Sequence, residues 1–141
     1  MRIDEILRNL YQFKQILTPF IILKKTLVFG ASLKPNRYSN LAIVKLVASG
    51  VETLAFGLKT GSVSGVDIST SFDKSNDIHT ITLYLNSKRQ EEYYNKIIAL
   101  APKRVIFNPG TENPEFYTLL KNEGIEVDVA CTLVLLSTGQ Y

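Results

Sequence analysis

The sequence predicts an α/β protein of Rossmann type, with a doubly wound, mostly parallel five-stranded sheet and helices on both faces. Two observations predict it. From Lys24 onward, short apolar runs rich in β-branched residues alternate with segments of helical period. That alternation marks βαβ units and hence a parallel sheet covered on both sides. The runs also end in turn chemistry, at Gly30, Gly57, Asn86 and Asn108-Pro109-Gly110, where a parallel sheet gathers its functional loops.

Thr26-Leu27-Val28-Phe29 is the first strand and stops at Gly30, a short apolar run of the kind buried on both faces. A loop with Lys34-Pro35-Asn36 follows. Ser39 is the predicted N-cap of a helix through Leu41, Val44, Val47 and Ala48, with Gly50 at its C′ position. Val51 to Phe56 is a second strand closed by Gly57. Leu58 to Asp77, rich in Gly, Ser, Thr and Asp, is expected to be an irregular loop with at most a short edge strand near Val66-Asp67-Ile68.

His79 to Leu85 alternates β-branched and apolar residues and reads as a strand. Ser87-x-x-Gln90 is a capping box opening a helix through Tyr94, Ile97, Ile98 and Ala101, which Pro102 ends. Arg104 to Phe107 is the next strand. Asn113 caps a helix with Pro114 at its first position, Phe116, Leu119 and Leu120 on its buried face, and Gly124 beyond its end. Ile125 to Val129 makes a further strand. Cys131 to Leu136 is read as a short helix in preference to a strand.

The stretch before Lys24 stands apart. Ile3, Ile6, Leu7, Leu10, Phe13 and Leu17 recur at helical spacing, with Asp4, Arg8 and Lys14 elsewhere, so an amphipathic helix is expected. Pro19 ends it and Phe20-Ile21-Ile22-Leu23 follows. The apolar run is far short of a membrane span and lacks the pattern of a signal peptide. Two readings of residues 1–23 stay open: a surface helix packing on the domain or on a second subunit, or a translation start lying upstream of the true one. Residues 24–141 are read as one Rossmann-like domain, since 141 residues of 45% hydrophobic content suffice for one core and not for two.

Composition narrows the function. A single cysteine, Cys131, excludes a disulfide framework and a cysteine-based zinc site, and fits a cytoplasmic location. A net charge of +3, from 16 basic and 13 acidic residues, suits an anionic ligand. It is too small and too dispersed for DNA or RNA.

Ligands of open α/β sheets bind at the carboxyl ends of the strands, where strand order reverses. Four segments should converge there: Gly30-Ala31-Ser32 with Lys34 to Asn40, Gly57 to Gly61, Leu85-Asn86, and Asn108 to Asn113. Gly30 permits a tight turn and close backbone approach. The helix after it offers free N–H groups and a positive dipole end to a phosphate. Arg37 supplies a fork of donors, and Tyr38, Ser39 and Asn40 add neutral ones. Against this, one glycine is a poor phosphate signature, and Arg37 could equally be a solvated surface residue.

Ordinary dinucleotide binding is disfavoured. It needs G-x-G-x-x-G after the first strand and an acidic residue ending the second. Here Gly30 stands alone, and the second strand ends in Phe56-Gly57 with Lys59 close behind. A lysine there suits a ribose bearing a phosphate better than a free diol. In Asn108-Pro109-Gly110-Thr111-Glu112-Asn113 the turn is well made, and Asn108, Thr111, Glu112 and Asn113 bring polar groups to the same edge. No catalytic or metal-ligating set stands out. His79 has no evident nucleophile partner, Cys131 reads as a buried small residue, and Glu91-Glu92 as a solvated helix face.

Taken in order, Gly30-Ala31-Ser32, Pro35 with Arg37-Tyr38-Ser39-Asn40, Asn108 to Asn113, and the tail Ala130-Cys131-Thr132-Leu133-Val134 resemble the small stand-alone CoA-binding domain proteins. That family is similar in fold to the CoA-binding domain of the succinyl-CoA synthetase α subunit. The resemblance covers about Lys24 to Tyr141. It implies coenzyme A or acyl-CoA across the strand ends, with Gly30, Ala31 and Ser32 at the phosphates and Arg37, Tyr38 and Ser39 supporting them. Lys59 would reach the ribose phosphate, while Leu85, Asn86, Asn108, Pro109, Gly110, Thr111 and Glu112 wall the adenine and pantetheine side. The chain departs from the synthetase in having no phosphohistidine candidate, so ligase activity is not expected. It also lacks the proline-containing turn expected after the second strand, near Lys59. The leading expectation is a non-catalytic nucleotide-binding protein, acting alone, as a homodimer or beside a partner enzyme. The alternatives are an NAD(P)- or other nucleotide-dependent enzyme and a ligand-free interaction protein.

Overall fold

The structure is a computed structural model and describes residues 2–6, 8–9, 24–72 and 77–141. Seven strands form one sheet: β1 (Thr26–Ala31), β2 (Thr53–Gly57), β3 (Gly61–Val63), β4 (Val66–Ser69), β5 (Thr80–Leu83), β6 (Arg104–Phe107) and β7 (Glu126–Val129). Their spatial order is β3-β4-β2-β1-β5-β6-β7, and every pairing is parallel except β3 with β4. The helices are α1 (Tyr38–Ala48), α2 (Ser87–Gln90), α3 (Tyr94–Ala99), α4 (Pro114–Asn122) and α5 (Thr132–Ser137). The Rossmann-like class holds, with seven strands instead of the five expected.

The two extra strands come from the segment expected to be an irregular loop. Val63 and Val66 flank Ser64-Gly65, whose φ angles of +50° and +79° make the tight left-handed turn that suits a two-residue hairpin. The hairpin pairs β4 onto β2 through Ala55–Ile68 and Phe56–Ser69. It buries only Val63 and Ile68, too few apolar residues for local periodicity to reveal.

Period-two alternation along β1 feeds two layers. Val28 points to one face with Ala55, Ile68 and the buried side of α1, Ile43 and Leu46. Leu27 and Phe29 point to the other, with Phe56, Ile81, Leu83, Val105 and Phe107, under Ile97, Phe116 and Leu120. α5 packs beside α1. The connection from β4 to β5 places Phe72 edge-on against Phe29 and Phe56, at centroid distances of 5.4 and 4.9 Å.

Three local expectations need correction. Ser39 is not the N-cap of α1: the helix starts at Tyr38 behind Arg37, which makes no side-chain cap, and Ser39 is buried in the first turn. Ser87-x-x-Gln90 is not a capping box. Asn86 is the N-cap, its side chain accepting from Arg89 N at 3.0 Å, and Gln90 turns into the core. The helix after it is not continuous, since a 3₁₀ turn over Glu91–Tyr93 separates α2 from α3. The expected Asn113 cap with Pro114 at the first position is present. So is the helix after Cys131. Gly50, at φ +76°, closes α1 with Val51 N donating to Leu46 O and Gly50 N to Val47 O. Of the expected N-terminal amphipathic helix, residues 3–6 and 8–9 are helical; residues 1, 7 and 10–23 lie outside the described residues.

Candidate functional site

β1 leaves the sheet between neighbours whose connections run in opposite directions, β2 on one side and β5 on the other. The switch point therefore lies between β1 and β5, and the carboxyl edge at such a point is where open α/β sheets take ligands. Gly30 sits at that point. Phe29 pairs with Phe56 and Ala31 with Gly57, so Gly30 is the extra residue of a bulge, at φ +98°. A Cβ there would lie 3.1 Å from Leu85 Cδ2 and 3.2 Å from the Tyr84 carbonyl carbon. Close approach of the loop after β5, together with the left-handed backbone, requires glycine.

Gly57 carries the same demand from the other side. Its Cβ would lie 2.4 Å from Ala31 O. The turn at Gly57 was legible in the sequence; the contact that forbids a side chain there was not.

The loop after β1 is braced from within. Asn40 Nδ2 donates to Ser32 O at 3.0 Å, Lys34 N to Ser32 Oγ at 3.2 Å, and Arg37 N to Lys34 O at 3.1 Å. The first turn of α1 carries no acidic side chain, and Lys34, Arg37 and Tyr38 around it are exposed. The leading N–H groups of an α-helix have no partner within the helix, so this end presents donors and positive potential. Lys59 follows β2 and is exposed.

The third and fourth segments meet through a buried polar network. Asn108 is 2% exposed. Its Nδ2 donates to Thr82 Oγ1 at 2.8 Å and to Leu83 O at 2.9 Å, while its Oδ1 accepts from Thr132 N at 2.9 Å. Thr82 and Thr132 hydroxyls share a hydrogen bond of 2.8 Å. Thr111 Oγ1 donates to Asn108 O at 2.7 Å. Gln90 Nε2 donates to Leu85 O and Thr111 O, both at 2.8 Å, and Asn113 Nδ2 donates to Gln90 Oε1 at 2.9 Å and to Tyr94 OH at 2.7 Å. These bonds fasten the loops after β5 and β6 to each other and to the start of α5.

Two groups of expected site residues thus differ in character. Asn108 and Thr111 spend their side chains on the scaffold. Gly30, Ala31 and Ser32 are partly open, and Arg37, Tyr38, Lys59, Asn86, Pro109, Gly110 and Glu112 are exposed. Glu112 takes the Gly110 N–H at 2.9 Å, and its own and the Gly110 backbone N–H groups hold its carboxyl below the usual carboxylate range. Ser39 and Leu85 are buried beneath this surface.

Sequence inspection gave Asn40 a ligand role and Gln90 a capping role, placed Thr132 only in the tail motif and passed over Thr82; in the structure all four hold the edge in shape. It also missed Tyr84. That side chain packs against the core on the α1 face, and burial pushes its phenol up to about 12. A threonine inside a strand or a glutamine inside a helix carries no local mark of such a role.

The chain matches the family described as "CoA binding domain" over residues 24–137. It belongs to the CoA binding domain family. Among solved structures it is similar to an uncharacterized protein at 46% identity and a TM-score of 0.81, covering 84% of this chain and 98% of that one. It is also similar to a hypothetical protein from Pyrococcus horikoshii OT3, at 25% identity and a TM-score of 0.74, covering 88% of this chain and 87% of that one. A protein from Thermus thermophilus shares the fold at 23% identity and a TM-score of 0.72, covering 90% and 98% of the two chains. No curated protein matches the chain. Among the described residues, no helix is long and apolar enough to cross a membrane.

Proposed function

We propose that this CoA binding domain protein binds coenzyme A or an acyl-CoA at the strand carboxyl ends, as a binding module and not as an enzyme. The observation that carries the reading is the switch point between β1 and β5, where β1 ends in a left-handed glycine bulge at Gly30 beside a helix end free of acidic side chains. Family membership supplies the ligand class. In this reading the backbone of Gly30, Ala31 and Ser32 and the first turn of α1 meet the phosphates, with Arg37, Tyr38 and Ser39 around them. Lys59 takes the ribose phosphate. Leu85, Asn86 and the segment Asn108 to Glu112 wall the adenine and pantetheine, Asn108 and Thr111 by fixing the shape of the wall. Gln90, Asn108, Thr111 and Asn113 spend their hydrogen bonds on one another and on the backbone, which gives a ligand a wall of fixed shape.

Calorimetric titration with CoA, 3′-dephospho-CoA, NAD and NADP tests the reading. The expected result is CoA binding that weakens without the 3′-phosphate and weakens likewise in Lys59→Ala. Arg37→Ala is expected to cost about 1.5–3 kcal/mol, roughly 10- to 150-fold in affinity, as a charge-assisted phosphate contact. Absence of binding to CoA and its analogues would refute the proposal. Preference for NAD or NADP would favour a nucleotide-dependent enzyme.

A further inference from the structure

Two exposed leucines stand at the carboxyl edge of the sheet. Leu58 and Leu33 are 69% and 41% exposed. Leu58 separates Gly57 from Lys59, and Leu33 separates Ser32 from Lys34. The structure holds Leu33 in place. A Cβ on Gly61, at the start of β3, would lie 2.5 and 2.8 Å from its two methyl carbons, so a glycine there is what lets Leu33 lie against that strand. Leu58 opens the same connection from β2 to β3. A single leucine on a surface is ordinary. These two share their loops with Lys34, Arg37 and Lys59, which are exposed and, among the described residues, have no ion-pair partner. Apolar surface beside free cations fits a flat base carried next to a phosphate better than it fits a phosphate alone.

Charge and distance set the direction of a ligand along this edge. The charged side chains of the loops after β1 and β2 are Lys34, Arg37 and Lys59, all positive. Those after β5 have both signs, Lys88 and Arg89 against Glu91 and Glu92, and the turn after β6 carries Glu112, whose carboxyl the Gly110 N–H helps to keep ionised. Phosphates are therefore favoured on the β1–β2 side. Adenine and 3′-phosphate hang from one ribose, so a phosphate on Lys59 keeps the base near the end of β2. Asn108 stands three strand spacings away across β1 and β5, roughly 14 Å. The wall of Leu85, Asn86 and Asn108 to Glu112 is then left to the pantetheine arm. It gives the arm shape and few side-chain hydrogen bonds, since Asn108 and Thr111 spend theirs on the scaffold.

We propose that Leu33 and Leu58 form the platform for the adenine, and that the protein recognises the 3′-phosphorylated adenosine head of its ligand irrespective of what the arm carries. The ligand class is then adenosine nucleotides with a 3′-phosphate, free CoA and its thioesters alike. This rests on the nucleotide-binding reading above, and the test separates the two.

The full chain is titrated calorimetrically with CoA, acetyl-CoA, pantetheine and adenosine 3′,5′-bisphosphate, which keeps the base and the ribose phosphate and lacks the arm. CoA and acetyl-CoA should bind alike, the bisphosphate within about 10-fold of CoA, and pantetheine not at all. Leu58→Ser removes apolar surface without adding charge beside Lys59. It should weaken CoA and the bisphosphate by one common factor, roughly 10-fold, with an unchanged urea midpoint. Leu119→Ser, on the exposed side of α4, should change neither affinity. If CoA binds and the bisphosphate is weaker by more than about 10-fold, or if Leu58→Ser weakens neither, head recognition is overturned while CoA binding stands. Binding of neither CoA nor the bisphosphate overturns both readings.

Discussion

Replacing Asn108 by alanine tests whether the strand-end loops depend on their buried network. The side chain makes three hydrogen bonds of 2.8 to 2.9 Å, all buried. Its removal strands Leu83 O and Thr132 N–H, whereas Thr82 Oγ1 keeps its bond to Thr132 Oγ1. A buried polar group left without a partner costs about 1–3 kcal/mol. Two such groups, with the small void left behind, make an expected loss of about 3–5 kcal/mol. That is a large fraction of the ~5–15 kcal/mol of a typical domain.

Urea unfolding of the two proteins checks it. With a slope of about 2 kcal/mol/M, the midpoint should fall by roughly 1.5–2.5 M at unchanged slope. Asn108→Asp keeps the acceptor for Thr132 N but sets oxygen against Leu83 O, so it is expected to lose at least as much. A loss below about 1 kcal/mol in the alanine variant would refute the network as the clamp of this edge.

Gly57→Ala places a methyl group against Ala31 O and is expected to cost about 1–3 kcal/mol. Gly65→Ala meets open space, strains only a left-handed turn, and should cost about 1 kcal/mol. Equal urea midpoints for the pair would contradict the close approach of β1 to β2. Asn86→Ala should cost about 1 kcal/mol for an exposed cap. Asn113→Ala, which also strands Gln90 Oε1, should cost about 2–4 kcal/mol, so similar losses would argue against the network. Burial and the charges of Arg104, Lys24 and Lys103 hold the His79 imidazole below its ordinary 6.5. The unfolded state then takes up this proton more readily, so the contribution is full above pH 6.5 and declines as pH falls through it. The stability gap between wild type and His79→Gln should shift in that window; a pH-independent gap would count against the assignment.

The sequence by itself determined the alternation of strands and helices. Apolar period and turn residues are local properties, and β1, β6 and α4 appear within a residue or two of where they were expected. It also determined which loops share one edge, because parallel βαβ units send every strand's carboxyl end the same way. The tertiary structure decided the rest. The β3–β4 hairpin forms because β4 finds β2, a pairing of distant segments that a short polar stretch does not announce. Gly57 is barred from a side chain by Ala31, 26 positions earlier in the chain. Gln90 and Asn108 have the composition of a cap and a ligand contact. Burial among each other's loops makes them structural, since a polar group enclosed away from water must bond to whatever the fold brings beside it.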